Sequence, residues 1–230
     1  MIGAKRVLAV IPARGGSKGL PGKNILPVQG RPLLAWTAAA ALAARTIDRT
    51  VVSSDDDAIL AVAAACGVEP LRRPAELATD TATTIDVVVH ALDACPGHDV
   101  VVVLQPTSPL RTAADIDAAL ERFAATGAPA CVSVCEAEQS PYWMYRLDAG
   151  QTLLPILDAP PEATRRQDLP VVYILNGAVY IADAAWLRAS RAFVGPETVA
   201  HVMPAERSLD IDTARDFERF EKTVTETAHA

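Results

Sequence analysis

The chain has 230 residues; half of them are hydrophobic, 21% are charged, and the formal net charge is −7. This length and composition predict a soluble globular protein with one domain, residues 1–230, and enough apolar residues for a substantial core. The acidic balance argues against a nucleic-acid binder, which normally carries a basic excess. No apolar run approaches the roughly 18 residues of a membrane span, so we expect no membrane association.

The cysteines and the N-terminus favour a cytoplasmic location. The four cysteines, Cys66, Cys95, Cys131 and Cys135, show neither a CxxC spacing nor a partner set of histidines. We therefore expect them to be reduced and buried thiols. The first residues run straight into an apolar stretch and lack the features of a signal peptide.

Apolar runs alternate with helical patterns along the first 135 residues. Strands are predicted at Val7–Ile11, Thr50–Ser53, Val100–Gln105 and Ala130–Cys135, and helices at Pro32–Ala44, Asp56–Cys66, Thr83–Ala94 and from Thr112 to about Ala125. The last of these helices opens on a capping box in which Asp115 takes the place of glutamate. The order of elements predicts an α/β fold with a mostly parallel, doubly wound sheet and helices on both faces.

The pattern changes after Cys135. Residues 140–170 contain several prolines and the apolar cluster Pro141–Tyr145, which together predict a small antiparallel arm inserted in the domain. Because interfaces favour Tyr, Trp, Met and Arg, we expect the arm to pack on a second subunit; packing on its own domain is the alternative. Two further strands and a last helix are predicted at Val171–Leu175, at Ala178–Ile181 and from Thr213 onward.

A glycine-rich, basic loop follows the first predicted strand and is the most informative segment. It reads Ala13-Arg14-Gly15-Gly16-Ser17-Lys18-Gly19-Leu20-Pro21-Gly22-Lys23-Asn24. Glycine lets backbone N–H groups approach a phosphate closely, and Arg14, Lys18 and Lys23 supply the charge that a triphosphate demands. The loop is not a P-loop, because Ser17 and Asn24 occupy positions where that motif needs other residue types. It predicts another kind of nucleotide-phosphate site, with a flexible surface turn as the alternative.

Further polar clusters follow the other predicted strands, where ligands bind in a doubly wound sheet. Ser53–Asp57 and Gln105–Arg111 lie at two such strand ends. Asp210 and Asp212 lie near the end of a late extended segment, where alternate residues share a face, and two carboxylates at that spacing suit Mg²⁺. A solvated edge, with Asp212 only capping the last helix, is the alternative. The four histidines do not cluster, which argues against zinc or triad chemistry.

Several motifs resemble, in the same order, blocks of the acylneuraminate cytidylyltransferase family, the CMP–nonulosonic acid synthetases. The matching segments are Val10–Asn24, Arg73–Ala78, Asp80–Ala82, Leu104–Arg111, Asn176–Ile181 and Asp210–Thr213. The resemblance covers nearly the whole chain. It implies the nucleotide-diphospho-sugar transferase type of Rossmann-like fold. It also implies Mg²⁺-dependent transfer of CMP from CTP to the anomeric 2-hydroxyl of a nonulosonic acid, with release of pyrophosphate.

The resemblance also implies roles for individual residues. The expected nucleotide-binding residues are Ala13, Arg14, Gly15, Gly16, Ser17, Lys23, Asn24, Arg73, Ala82 and Thr84. Arg14, Lys23 and Asp212 are expected to be catalytic, and Asp210 and Asp212 are expected to bind Mg²⁺. The sugar acid is expected to face Gln105, Asn176 and Tyr180, together with Arg166 from the partner subunit of a homodimer with composite sites.

The segments expected near the sugar depart from the sialic acid pattern. Ile174-Leu175-Asn176-Gly177 stands where an Arg-Pro-Asn-Gly pattern is typical, and Tyr142-Trp143 stands where a lysine occurs. The arm and residues 165–170 are more similar to legionaminic acid cytidylyltransferases, so a legionaminic-type acid is favoured over N-acetylneuraminic acid. Pseudaminic acid or Kdo as the substrate, and a non-catalytic nucleotide-binding module, are the alternatives.

Overall fold

The central sheet has seven strands in the computed structural model, which describes residues 2–16, 19–157, 165 and 168–228. In spatial order they are β11 (Val199–Val202), β7 (Ala130–Glu136), β10 (Tyr173–Asp183), β6 (Val100–Val103), β1 (Val7–Pro12), β4 (Arg49–Ser54) and β5 (Glu69–Arg72). Strand β10 runs antiparallel to its neighbours β6 and β7, and the other pairings in this sheet are parallel. The expected mostly parallel α/β sheet is confirmed.

Helices cover both faces of this sheet. They are α1 (Leu33–Ala43), α2 (Asp57–Ala65), α3 (Thr84–Ala94), α4 (Ala113–Thr126) and α5 (Ala184–Ser190); a further helix, α6 (Ala214–Ala228), packs through Phe220 against Val28 and Leu33 in a separate apolar cluster. The starts of three of them follow from side-chain caps: Asp56 accepts two backbone N–H bonds before α2, while Thr83 and Thr112 each form a capping box with the aspartate three residues later.

The core consists mainly of two layers, one on each face of the sheet. Along β1, Val7, Ala9 and Ile11 pack with α1, α2 and α4, whereas Leu8 and Val10 pack with α3 and α5. All five side chains are fully buried. A strand covered on both faces needs an unbroken apolar run, which is why these strands are evident in the sequence.

Among the strands of the central sheet and the helices that cover it, three elements were not predicted from the sequence, and one prediction was too fragmented. The unpredicted elements are β5, β11 and α5; β5 and β11 are four-residue strands at the two edges of the sheet, and β5 contains Pro70. The strands expected before and after Asn176-Gly177 form one strand, β10. Gly177 adopts a positive φ of 72°, so the ladder shifts between Leu175 and Tyr180 without ending the strand.

Two short antiparallel pairs lie outside the central sheet. Strand β2 (Pro27–Val28) pairs with β3 (Arg31–Pro32), and β8 (Tyr145–Leu147) pairs with β9 (Leu153–Pro155). The second pair lies within residues 140–170, the segment in which an antiparallel arm is expected, and its strand residues are all exposed. Its packing on a second subunit stays a prediction.

The expected burial holds for three of the four cysteines, and Cys66 is only partly buried. All four are free thiols, and three of them, Cys95, Cys131 and Cys135, are buried. In the ranges that the structure describes, no helix has the length and apolar character needed to cross a membrane.

Candidate nucleotide and sugar site

A cavity of about 670 Å³ lies at the carboxyl ends of the parallel strands, and we call it the strand-end cavity. Pro12 at the end of β1, Arg73 directly after β5, and Gln105 shortly after β6 all line it. This is the edge at which doubly wound sheets bind their ligands. The structure brings nine residues of the predicted site to this cavity: Arg14, Lys23, Asn24, Arg73, Ala82, Thr84, Gln105, Asp210 and Asp212.

The start of the glycine-rich loop is fastened to β4 and to the turn after it. The backbone N–H of Ala13 donates to the Ser53 carbonyl at 3.0 Å, and that of Gly15 donates to the Asp55 carboxylate at 3.2 Å. A Cβ atom at Gly15 would lie 2.7 Å from Asp56 Oδ2, so the loop needs glycine there. Both amides are engaged within the protein, and their contact with a phosphate stays a prediction.

The rest of the loop has both open and crowded positions. A Cβ atom at Gly16 would meet no heavy atom within 4 Å, whereas one at Gly19 would clash with the backbone carbonyl of Asp212. The loop therefore packs closely against the segment that carries the predicted metal ligands. Ser17 and Lys18 lie outside the described residues, as does Arg166 of the predicted sugar site.

Two cations of the loop, Arg14 and Lys23, each pair with a carboxylate in the cavity. The Arg14 guanidinium donates to Asp80 Oδ1 at 3.0 Å, and the Lys23 ammonium donates to Asp212 Oδ1 at 3.2 Å. Asn24 is buried, and its amide donates to the Arg14 carbonyl at 3.1 Å, so it supports the loop from beneath. An anionic ligand could therefore replace these two carboxylates as the partner of the loop cations.

Arg73 forms a fixed part of the cavity wall. Its guanidinium donates to the carbonyl oxygen of Ser53 at 2.6 Å, to the hydroxyl of Ser53 at 3.3 Å and to the carbonyl of Leu77 at 3.3 Å. Burial lowers the pKa of this guanidinium, and the nearby charge of Asp55 partly opposes that effect. The side chain is therefore held rigidly, and it orders the wall on which Ala82 and Thr84 also lie.

Asp210 and Asp212 both line the strand-end cavity, but not from a strand as expected. Between them Ile211 is buried; its backbone N–H donates to the Thr107 carbonyl at 2.8 Å, and its carbonyl accepts from Lys23 at 2.9 Å. This irregular segment is tethered to two separate loops and not to a neighbouring strand. The carboxylates therefore reach one cavity through tertiary contacts and not through the two-residue repeat of a strand.

The capping contacts at the start of the last helix argue against a purely local role for Asp212. Thr213 and Asp216 exchange hydrogen bonds at the beginning of α6. The Asp212 carboxylate instead accepts from Lys23, which comes from the glycine-rich loop. The side chain thus belongs to the cavity.

The electrostatics of this pair fit a divalent cation. Desolvation raises the pKa of the Asp210 carboxyl, the Asp212 carboxylate raises it further, and the Thr107 hydroxyl and Lys23 act in the opposite direction. A cation near both carboxylates would relieve their repulsion. Among the described residues, no group of three or more His, Cys, Asp or Glu side chains could hold a metal ion. Ligand oxygens would thus have to complete the shell, an arrangement that Mg²⁺ commonly adopts.

The residues expected near the sugar are placed differently from one another. Gln105 lines the strand-end cavity. Tyr180 is half-buried, its ring centre lies 5.7 Å from that of Phe193, and burial together with the charge of Asp210 raises its pKa. Tyr180 is therefore close enough to Asp210 for the carboxylate to affect its pKa, although Tyr180 is not among the residues that line the cavity.

Asn176 is buried, and its carboxamide is used within the protein. Its Oδ1 accepts from the Ser133 hydroxyl at 2.6 Å, and its Nδ2 donates to the Ser208 hydroxyl at 2.9 Å. These bonds join β7, the bulge of β10 and the segment that leads to Asp210. The contacts therefore give Asn176 a supporting role, and its direct contact with a sugar stays a prediction.

A second cavity, of about 630 Å³, adjoins the first at Asp210, and we call it the arm-side cavity. Its lining combines apolar side chains, such as Met144 and Ile174, with Arg219 and several acidic groups. Sequence reasoning missed this cavity, because its walls come from the arm, the end of β7 and α6. It also gave no role to Thr79, Asp80 or Thr107 of the strand-end cavity, although all three stand in or next to the motifs that carry the resemblance.

A mostly parallel sheet with a basic, glycine-rich loop at its carboxyl edge is an architecture suited to nucleotidyl transfer. Residues 8–182 match the family model described as cytidylyltransferase, so the chain belongs to the cytidylyltransferase family and is a nucleotidyltransferase. The family resemblance found in the sequence is confirmed.

Three known proteins illustrate the similarity. The CMP-N,N'-diacetyllegionaminic acid synthase of Legionella pneumophila is 38% identical over 231 aligned positions, and the match covers 95% of this chain and 96% of that protein. The N-acylneuraminate cytidylyltransferase of Escherichia coli O18:K1:H7 is 35% identical over 213 residues, or 93% of this chain, and the chain spans only 51% of its length. A solved CMP:2-keto-3-deoxy-manno-octonic acid synthetase complexed with CTP has the same fold, with a TM-score of 0.75 and 17% sequence identity. The match covers 96% of this chain and 99% of the chain of that structure.

Proposed function

We propose that the protein transfers CMP from CTP to the anomeric 2-hydroxyl of a nonulosonic acid and releases pyrophosphate. One observation carries the proposal. The loop cations Arg14 and Lys23, the carboxylates Asp210 and Asp212, and the amide of Gln105 come from distant segments and line one cavity. Cations suit the triphosphate, paired carboxylates suit a divalent ion, and the amide suits a hydroxylated sugar.

The nucleotide would lie along the walls at the ends of β1 and β5. Its triphosphate would replace Asp80 as the partner of Arg14 and would compete with Asp212 for Lys23. The cytidine would rest against Arg73, Ala82 and Thr84. Since Arg73 is already fixed by Ser53 and Leu77, this wall is ordered before the ligand arrives and loses little freedom on binding.

The reaction would need positioning and charge stabilisation more than acid–base chemistry. The anomeric hydroxyl loses its proton to water as its oxygen forms a bond to the α-phosphorus of CTP, the bond from that phosphorus to the bridging oxygen breaks, and pyrophosphate leaves with the electron pair. Arg14 and Lys23 would hold the phosphates in line and stabilise the charge that develops on the leaving group. Asp210 and Asp212 would hold Mg²⁺, which supplies further charge neutralisation when bound.

A legionaminic-type acid is the substrate that we propose over N-acetylneuraminic acid. Met144 and Ile174 give the arm-side cavity an apolar wall beside Asp210, where the attacking sugar would lie. An apolar wall suits acyl and deoxy groups better than a glycerol chain, because unpaired hydroxyls are costly to bury. The similarity to the legionaminic acid synthase over nearly the full length of both chains supports this choice.

We also propose that the arm binds a second copy of the chain. The arm and the start of β10 expose large apolar side chains: Trp143, Met144, Tyr145, Leu147, Leu153, Leu154, Ile156, Leu157, Tyr173, Ile174 and Leu175. An isolated two-stranded pair is marginal in water, and monomers rarely expose so much contiguous apolar surface. A second copy that presents the same apolar surface would cover it, and Arg166 of that copy would complete the sugar site.

A panel assay tests the proposed reaction. Pyrophosphate release would be measured with CTP or ATP, with and without EDTA, and with legionaminic, pseudaminic and N-acetylneuraminic acids and Kdo in turn. We expect release that depends on CTP, on the metal and on a nonulosonic acid, with the legionaminic-type acid giving the highest kcat/KM. Equal rates with ATP, or no release with any of the acids, would refute the proposal.

Sedimentation analysis tests the dimer. Leu154→Asp on the arm should convert a dimer to a monomer, whereas Leu42→Asp, which alters an exposed leucine elsewhere, should leave it intact. Composite sites can be tested by mixing Arg166→Ala chains with Asp212→Ala chains. If subunits exchange at random in a two-fold dimer, about a quarter of the sites escape both substitutions and activity should recover to that level. No recovery despite confirmed exchange would show that each site belongs to one chain.

A further inference from the structure

Arg111 is a buried cation at the end of the segment that follows β6. Its side chain is only 2% exposed, and no described carboxylate forms a salt bridge with it. Asp115, whose charge acts on Arg111, is itself paired with Arg207 at 2.8 Å. Burial lowers the pKa of the guanidinium, as expected for a desolvated cation without a direct counter-ion. Burying a charge without a counter-ion lowers the stability of the fold. Other contacts of Arg111 must therefore offset this loss.

The guanidinium joins three separate parts of the chain. It donates to the Ala178 carbonyl of β10 at 2.7 Å, to the Thr37 hydroxyl of α1 at 2.8 Å and to the Gln105 carbonyl at 3.3 Å. Thr37 also donates to the Gln105 carbonyl, at 3.4 Å. The Nε atom of Arg111 is buried without a hydrogen-bond partner. The bonds therefore converge on two backbone carbonyls: that of Gln105, which lines the strand-end cavity, and that of Ala178, the residue after Gly177.

The two carbonyls flank the contact between Gln105 and the bulge of β10. A Cβ atom at Gly177 would lie 3.0 Å from Gln105 Oε1 and 3.5 Å from Asp210 Oδ2. The Gln105 carboxamide and the Asp210 carboxylate thus both rest against the Gly177 backbone. Arg111 donates to the carbonyl of Ala178, the residue after Gly177, and to the carbonyl of Gln105 itself. It therefore fixes the distance between the β10 bulge and the backbone of Gln105.

We propose that Arg111 is a positioning residue, whose guanidinium holds the backbone of Gln105 against the β10 bulge and so sets the Gln105 carboxamide beside Asp210, where the sugar acid would bind. The inference rests on the proposed function, because it assigns a task within that reaction. Arg111 contacts neither the strand-end cavity nor the arm-side cavity. Its effect is therefore exerted through the backbone and not through contact with a ligand.

The test compares Arg111→Met with Arg49→Met, a partly exposed arginine that pairs with Glu69 at 2.6 Å outside both cavities and controls for the loss of one guanidinium. Methionine keeps much of the length of the side chain and removes its donors. We expect Arg111→Met to lower kcat about 10–100-fold, the loss that a small misplacement of reacting groups causes. We expect CTP affinity to change little, because Arg14, Lys23 and Arg73 are held by other contacts. Arg49→Met should leave both quantities unchanged.

Hydrogen exchange gives a readout that does not depend on turnover. Backbone amides of residues 104–108 and 174–179 should exchange faster in Arg111→Met than in the wild type, with the rest of the sheet unchanged. If no nonulosonic acid is a substrate, the proposed function fails, and the exchange pattern still decides whether Arg111 clamps these two segments. A variant with a lower Tm but unchanged kcat and unchanged local exchange would overturn the proposal.

A second variant covers the case in which Arg111→Met does not fold. Thr37→Val removes the hydroxyl that accepts from Arg111 and donates to Gln105, at nearly constant volume. It should produce the same localised change in exchange and a smaller decrease in kcat, again with CTP affinity preserved. Unchanged exchange at residues 104–108 in a folded Thr37→Val protein would count against the clamp.

Discussion

The ammonium of Lys23 donates to the carboxylate of Asp212 at 3.2 Å, across 189 residues of sequence. This ion pair joins the glycine-rich loop to the segment before the last helix, and the packing of Gly19 against the Asp212 backbone reinforces the connection. A triphosphate would draw Lys23 away from Asp212 and leave that carboxylate available to a divalent cation. Nucleotide and metal should therefore strengthen each other's binding, as expected when two ligands relieve one ion pair.

Asp212→Ala should reduce turnover without unfolding the protein. The Asp212 side chain is 75% exposed, so its loss leaves the core intact. Removing one preorganised electrostatic group at a reacting centre typically costs about 10²–10³ in kcat. Steady-state kinetics and thermal melts would measure both effects. Asp93→Ala is the control, because Asp93 is an exposed aspartate paired with Arg188. Near wild-type turnover in Asp212→Ala would remove this carboxylate from the mechanism.

Asp210→Asn should stabilise the ligand-free protein at neutral pH while it abolishes metal-dependent activity. Desolvation and the Asp212 carboxylate raise the pKa of Asp210 in the folded state. The fold therefore binds this proton more tightly than the unfolded chain does, and stability falls as the pH rises from the ordinary pKa to the raised one. At pH values above the raised pKa, the ionised Asp210 carboxylate destabilises the fold by its full amount. At pH values below the ordinary pKa, Asp210 is protonated in both states and this destabilisation is absent.

Thermal melts across pH would test this prediction. The Tm of Asp210→Asn should exceed that of the wild type at pH 7, and the two should converge as the pH falls to the ordinary aspartate value of 3.8. Asp93→Asn controls for the removal of one negative charge from a chain of net charge −7. An equal gain in Tm for both variants would mean that general charge repulsion, and not the Asp210 environment, is responsible.

Gly177→Ala should impair catalysis more than its backbone strain alone explains. Gly177 has a φ of 72°, where alanine costs roughly 1–2 kcal/mol, and its Cβ atom would also press on Gln105 Oε1 and on Ser108 Oγ. Gly127→Ala is the matched control, with a φ of 66° and no heavy atom within 4 Å of the added Cβ. Both variants should lower the Tm, but only Gly177→Ala should lower kcat/KM for the sugar acid. Equal kinetic effects would place Gln105 outside the site.

Asp80→Asn should tighten CTP binding modestly. The Asp80 carboxylate pairs with Arg14 at 3.0 Å, and in the proposed complex the triphosphate takes its place. Because exposed pairs contribute little, the gain should be at most about fivefold in Kd by titration calorimetry. Asp57→Asn, which breaks a pair with Arg72 outside the strand-end cavity, should have no effect. Weaker CTP binding in Asp80→Asn would instead indicate that Asp80 orients Arg14 for the nucleotide.

The buried strands, the capped helix after Thr112 and the glycine-rich loop at the end of β1 were all evident in the sequence. Val7–Pro12 and Val100–Val103 are continuous apolar runs because both of their faces are covered, and Thr112 forms the local capping box that its spacing to Asp115 predicts. Signals of this kind are local: they depend on residues within one or two turns or within one strand. The edge strands β5 and β11 lack such a signal, because only part of their surface is buried.

Tertiary structure alone decided how the site residues meet. Asp210 and Asp212 reach the cavity because Ile211 is tied to Thr107 and Lys23, and not because the segment is a strand. Asn176 looks in the sequence like a ligand-binding amide, yet Ser133 and Ser208 use its carboxamide. The sequence by itself determined the α/β class and the charged and polar groups that each motif carries. Contacts between residues 40 to 190 positions apart determined which groups remain available to a ligand, because such hydrogen bonds form only once distant segments have packed together.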